Sequence, residues 1–217
     1  VCVDHCPRQA LTLSPAQNGE WMVSDTRHGP LVHARLGVAQ ENSGKLVTLV
    51  RREARALASA QDRPLLVCDG SPGIGCPVIS SLTGARLALV VTEPTVSGLH
   101  DLRRVVELTR QLGTPCAVCV NKADLNPDVA LEIEHEASAL GAVPLGRIRY
   151  DEAISAAQVR GLSVVEHGDG PAAADLRALW ERVKATLRAP RQASSDSRDS
   201  RSPSHAPTQS QDETRQP

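Results

Sequence analysis

The chain has 217 residues, enough for one substantial core with room for a tail or a small second module. With no Phe, two Trp and one Tyr, the core must be Ala, Val, Leu and Ile, and recognition of bases by aromatic stacking is disfavoured. A formal net charge of −1, with acidic and basic residues interspersed, provides no field to draw in nucleic acid or an anionic membrane, so neither is an expected partner.

The chain opens on Val1-Cys2-Val3-Asp4-His5-Cys6-Pro7. This C-x₃-C-P pattern matches the last part of the bacterial ferredoxin run C-x₂-C-x₂-C-x₃-C-P, whose thiolates hold [4Fe–4S] clusters. Two thiols leave a four-ligand site incomplete, and an opening Val inside the pattern leads us to expect a start further upstream. His5 reads as a loop residue rather than a ligand. Turn-rich sequence follows, with short strands expected at 20–24 and 30–36.

From 45 to 60, Leu46, Val47, Val50, Ala54 and Leu57 recur at helical spacing. The apolar run 64–68 then predicts a buried strand that delivers Asp69 to its carboxyl edge, followed by the loop Gly70-Ser71-Pro72-Gly73. A strand-end carboxylate before a loop rich in backbone N–H groups suits Mg²⁺ and a terminal phosphate. A second apolar strand is predicted within 86–92. Ser97 is the expected cap of a helix that turns Leu99, Leu102, Val105, Val106 and Leu112 to one side and ends at Gly113. A strand at 116–120 leads into Asn121-Lys122-Ala123-Asp124. Asn126-Pro127 opens a helix with Ala130, Ile133, Ala137 and Leu140 on one face. A strand at 142–148, a short helix at 151–160, and a final helix at 173–187 with Leu176, Leu179, Trp180, Val183 and Leu187 inward complete the pattern. From 190 onward the chain is too polar to offset the entropy of ordering and is expected to be a disordered tail.

Apolar strands alternating with amphipathic helices predict an α/β fold, a parallel sheet flanked by helices. Ligands of such sheets bind beyond the carboxyl ends of the strands, which singles out the loops at Asp69–Gly73, Glu93–Thr95, Asn121–Asp124 and Arg149–Asp151. In the Asn-Lys-x-Asp segment, Asn121 suits bracing or the base, the Lys122 stem can lie along a nucleoside, and Asp124 can accept hydrogen bonds from base N–H groups. The phosphate-cradling G-x-x-x-x-G-K-[ST] is absent: in the only Gly-Lys pair, Gly44-Lys45, Leu46 replaces the hydroxyl residue and Ala39 the first glycine. Hydrolysis by this chain alone is therefore not expected. Cys116 and Cys119, three apart in a strand, should face opposite sides and cannot form a metal knuckle. Together with Cys68 they read as buried thiols, and Cys76 in the loop as structural. That cysteine usage, with no apolar run long enough to cross a membrane and no signal-peptide plan, makes a cytoplasmic protein the expectation.

Taken in order, Asn42-Ser-Gly-Lys-Leu-Val47, Asp69-Gly-Ser-Pro-Gly-Ile-Gly-Cys-Pro-Val78, Thr92-Glu-Pro-Thr-Val-Ser-Gly-Leu-His-Asp101 and Asn121-Lys-Ala-Asp-Leu-Asn126 resemble the MinD-superfamily P-loop ATPases that carry an inserted ferredoxin domain. The resemblance runs from Cys2 to about Glu166 and looks like that plan with everything before the last two ferredoxin cysteines missing. It implies three parts. Residues 1–20 would end a ferredoxin-like module, 21–189 would form a MinD/ParA-like nucleotide-binding domain lacking its P-loop, and 190–217 would be the tail. It further implies an ATP- and Mg²⁺-dependent switch coupled to [4Fe–4S] chemistry or electron transfer. Asp69 would be its Walker B carboxylate, Gly73 its γ-phosphate sensor, Asn121, Lys122 and Asp124 its base side, and Cys2 and Cys6 its cluster ligands. A homodimer and a redox or iron–sulfur partner protein would accompany it. Ser71 and Arg149 stand where the family often has proline. A GTP-using member of the fold and a non-catalytic subunit without the P-loop are the alternatives.

Overall fold

The computed structural model describes residues 3–12, 19–37 and 43–189. Cys2, Ala39, Asn42 and the tail from 190 lie outside the described residues. Residues 3–8 form turns, with no strand or helix in 3–12, so a ferredoxin-like unit is not seen among the described residues.

Strands β1 (Gly19–Thr26) and β2 (Gly29–Leu36) form an antiparallel hairpin in the register Gly19↔Leu36 to Thr26↔Gly29. Both were expected. Arg27 and His28 form its two-residue tip, Gly29 just after it takes a positive φ of 120° that favours glycine, and Thr26 Oγ1 closes the turn by donating to Gly29 O at 2.6 Å. Helix α1 (Gly44–Ala60) follows, capped by Ser43, whose hydroxyl accepts from Leu46 N at 3.2 Å. Against it packs α2 (Cys76–Leu82), a helix not anticipated from sequence. Gly44 permits that close crossing, since a Cβ there would lie 2.8 Å from Ser80 Oγ and 3.0 Å from Cys76 O.

The second sheet is parallel with the order β3-β4-β5: β3 (Ala88–Thr92), β4 (Cys116–Asn121) and β5 (Val143–Ile148). Helices α3 (Val96–Gln111) and α4 (Pro127–Ala139) make the two crossovers. α5 (Ala153–Val159), α6 (Val164–His167) and α7 (Pro171–Arg188) follow β5. Leu102, Val106, Val118, Val120, Ala130 and Ile133 fill the layer between the sheet and α3 and α4. On the other face Ala117, Cys119, Leu145, Leu179 and Val183 pack the sheet against α7. The period-2 alternation of β4 thus sends Cys116 and Cys119 into opposite layers, as expected of a strand.

Four expectations are corrected. Residues 64–68 are not a buried strand: they pair with nothing, Leu65, Leu66 and Val67 are 44%, 37% and 76% exposed, and Cys68 is exposed rather than buried. A parallel strand needs a hydrogen-bonding neighbour, and among the described residues neither sheet pairs with this segment. The cap of α3 is Thr95, whose hydroxyl accepts from Gly98 N at 2.9 Å, while Ser97 lies within the first turn and bonds Thr95. Trp180 is 42% exposed, not inward. The helix expected at 151–160 begins at Ala153, because Asp151 turns its carboxylate onto the Ala153 N–H.

Candidate functional site

The carboxyl ends of β3, β4 and β5 bring three loops together, and hydrogen bonds tie them. Lys122 directly follows β4 and holds a left-handed backbone at φ 52°, an uncommon conformation for a residue with a Cβ. Its ammonium meets Glu93 Oε1 of the neighbouring loop at 2.7 Å. Ala123 N donates to Ile148 O at 3.0 Å, and Asp124 Oδ1 accepts from Tyr150 N at 2.7 Å. The β4 loop is thereby fastened to β3 on one side and to β5 on the other. Lys122, Ala123 and Asp124 are thus braced from both sides, and Asn121 ends β4 opposite Ile148.

The loop after β5 is anchored residue by residue. Arg149 donates from Nε and its second guanidinium nitrogen to both oxygens of Asp175, each at 2.8 Å, and its backbone N–H reaches the same carboxylate. The guanidinium holds Asp175 below the ordinary carboxylate range, and the carboxylate in turn raises Arg149. Arg149 therefore points at α7 rather than across the loop edge. Asp151 accepts from Ala153 N at 2.9 Å and Ala172 N at 3.2 Å, joining α5 and α7. Between these anchors Tyr150 is half exposed beside Asp124. Asp175 escaped the sequence reading because nothing in an Asp near a helix start announces a partner 26 residues away. Gly98 did too: a Cβ there would lie 2.3 Å from Glu93 O, so the glycine lets α3 start tight against the Glu93 loop.

Gly73 has φ 86°, in open space, a backbone conformation that favours glycine. Asp69 is exposed and lines a cavity with α1 and β2, and neither residue hydrogen-bonds to Asn121, Lys122 or Asp124. Gly44 and Lys45 begin α1, with Gly44 against α2.

Of the two N-terminal cysteines, Cys6 is described. Its Sγ accepts from Ala10 N at 3.4 Å, and the N–H groups of Ala10 and then Arg8 hold the thiol below its ordinary value. That favours a thiolate, the form that binds metal. Among the described residues, however, no group of three or more His, Cys, Asp or Glu side chains is placed to hold a metal ion, so a four-thiolate cluster is not accommodated by them alone. Burial pushes the Cys119 thiol up to about 11 and raises that of Cys116, as suits inert core thiols. No described helix is long and apolar enough to cross a membrane.

No protein-family model matches the chain. Two curated relatives come from Methanocaldococcus jannaschii: the uncharacterized protein MJ0578 is 32% identical over 97 residues, 45% of this chain and 34% of its own length. The uncharacterized protein MJ0579 is 23% identical over 142 residues, 65% of this chain and 47% of its length. The chain thus spans a third to a half of these relatives. Among solved structures it is similar to the cell division ATPase MinD of Pyrococcus furiosus, with TM-score 0.54, 18% identity, and coverage of 66% of this chain and 59% of that one. MinD of Aquifex aeolicus, alone and in a MinC:MinD complex, gives TM-scores of 0.57 and 0.56 at 20% identity, covering 75% of this chain and 68% and 66% of those chains. The fold is MinD-like.

Proposed function

We propose that this chain is the base-side and sensor portion of a MinD-like, ATP-using nucleotide switch. The observation that carries the reading is the braced edge in which left-handed Lys122 is tied to Glu93 and Asp124 to Tyr150, at the carboxyl ends of a MinD-like parallel sheet. Asn121, Lys122 and Asp124 would meet the nucleoside. Asp69, exposed and hydrogen-bonded to nothing among the described residues, is free to serve a Mg²⁺ shell, and Gly73 to follow the terminal phosphate.

The sequence carries no G-x-x-x-x-G-K-[ST] cradle, so turnover would need a polypeptide that supplies one. In that polypeptide Cys2 and Cys6 would supply two of the thiolates of a [4Fe–4S] cluster, linking the switch to electron transfer or to an iron–sulfur partner protein, with a homodimer as the working assembly. The lowered Cys6 thiol supports the ligand role; the remaining thiolates must come from elsewhere.

The test begins with MgATP titrated onto this chain while amide resonances are followed. Shifts should cluster at 121–124 and 149–151, and an Asp124→Ala change should remove them. Shifts absent from both loops at saturating nucleotide would overturn the base-side assignment. In a version with the phosphate cradle present, Asp69→Ala should suppress Mg²⁺-dependent hydrolysis without loss of folding. Cys2→Ser with Cys6→Ser should lower iron content after anaerobic reconstitution, whereas changes at Cys116 and Cys119 should not.

A further inference from the structure

Four consecutive residues at the end of β5 are each tied to a different neighbour. Ile148 O accepts from Ala123 N of the β4 loop at 3.0 Å, and Arg149 is clamped to Asp175 of α7 by two side-chain bonds of 2.8 Å. Asp124 holds the Tyr150 N–H at 2.7 Å. Asp151 takes the N–H groups of Ala153 and Ala172, at the starts of α5 and α7. Amid these anchors the Tyr150 side chain is left over: the residue is 50% exposed and its hydroxyl makes no hydrogen bond among the described residues. It is the one tyrosine of a chain that has no phenylalanine. An aromatic exposed by itself is ordinary on a protein surface. What sets Tyr150 apart is a backbone fixed from both sides under a ring that stays half in water. Exposed ion pairs contribute little to stability, so the Arg149–Asp175 clamp is better accounted for by what it positions.

We propose that Tyr150 is a stacking face for the nucleobase and that Arg149 is the residue that positions it. The inference rests on the base-side reading above and adds to it the side chain that selects a planar aromatic ligand. A base on a tyrosine ring is held through its π face, which a sugar or a phosphate lacks. Asp124 joins the two halves of the site: Oδ1 fixes the tyrosine backbone, and Oδ2, which makes no hydrogen bond among the described residues, is left for a base N–H. Arg149 stands where the family that the sequence resembles often has proline. A proline stiffens a loop through its ring, and here the bidentate grip on Asp175 does so instead. A loop fixed before the ligand arrives loses little conformational freedom on binding.

A single tyrosine makes the test direct, because the full chain grown with 3-fluorotyrosine has one ring resonance in its fluorine spectrum. Adenosine and MgATP should each move that resonance along a saturating curve, and inorganic triphosphate with Mg²⁺ should not. Tyr150→Phe should bind adenosine like the parent, and Tyr150→Leu about fivefold or more weakly. Arg149→Gln should weaken binding in the parent and have no further effect beside Tyr150→Leu, as expected of a residue that acts through the ring. Four results would overturn the proposal. If MgATP shifts the amides of 121–124 while the fluorine resonance stays still and the Leu variant binds like the parent, stacking falls and the base-side reading stands. If neither the amides nor the ring respond, both fall. An equal response to triphosphate would place the ring at the phosphates, and a loss with Phe equal to that with Leu would place the effect in the hydroxyl.

Discussion

Leu65-Leu66-Val67-Cys68 and Cys116-Ala117-Val118-Cys119-Val120 are near equivalents in composition, yet one is exposed and unpaired while the other is the most buried strand of the molecule. β4 has β3 and β5 as hydrogen-bonding neighbours and a helical layer on each face; the 65–68 run has α1 and a cavity. Hydrophobicity makes a segment eligible for a sheet. Neighbours decide whether it enters one.

The largest effect that tests this contrast is on stability. Ile133→Ala, in the fully buried layer against β4, should cost about 2–5 kcal/mol in urea unfolding. Val67→Ala in the open run should stay within about 0.5 kcal/mol. Comparable losses at the two sites would mean that the 65–68 run is packed in solution. Thiol chemistry sharpens the same point without mutation: Cys68 and Cys76 are exposed, whereas Cys116 and Cys119 are buried and held as thiols. Alkylation in the native state should reach the exposed pair at least about a hundredfold faster, and equal rates would show that β4 opens as readily as the loop.

Much of the β3-to-α7 half was legible in the sequence because each element there is self-announcing. Asn126-Pro127 caps and starts α4, Gly113 at φ 63° ends α3, and the apolar runs of β3, β4 and β5 are bounded by polar loops. α2 was missed because Gly75, Cys76 and Pro77 look like a continuing loop until the proline is seen as the start of a helix. Asn121, Lys122 and Asp124 were legible as a motif, but their bracing was not. The Glu93–Lys122 pair and the Asp124–Tyr150 bond join loops that only the sheet order brings side by side. The strand at 64–68 was misread because a sequence pattern records the apolar side chains and says nothing of the missing ladder.

Smaller effects probe the joints around the well-packed half. Asp124→Ala should cost about 1 kcal/mol and speed exchange at the Tyr150 amide, while Asp124→Asn, which keeps an acceptor oxygen, should cost less than half of that. The mildest effect is a pH dependence. Glu166 is held down to about 2, first by the Arg27 guanidinium and then by the backbone and hydroxyl of Ser163. A carboxylate depressed in the folded state favours folding fully above its unfolded value of about 4.3, and that contribution is lost as pH falls toward 2. Protection of the Ser163 amide should therefore be flat from neutral pH to about 5 and decline below about 4, a trend that Glu166→Gln should flatten.

The Arg27–Glu166 joint has a consequence of its own. Arg27 lies at the tip of the β1–β2 hairpin and grips the Glu166 carboxylate at 3.0 and 3.2 Å and Gly161 O at 2.9 Å, across 139 and 134 residues of chain. A two-stranded hairpin is marginal by itself, so its order depends on what it leans on. Here the support is α1 behind β2 and, at the tip, the loop and short helix that follow α5. By reciprocity, anything that stiffens α5 and α6 also steadies the hairpin, and anything that pulls on the hairpin is felt at α6. The two ends of the described fold are mechanically coupled even though the sheet between them has an open side.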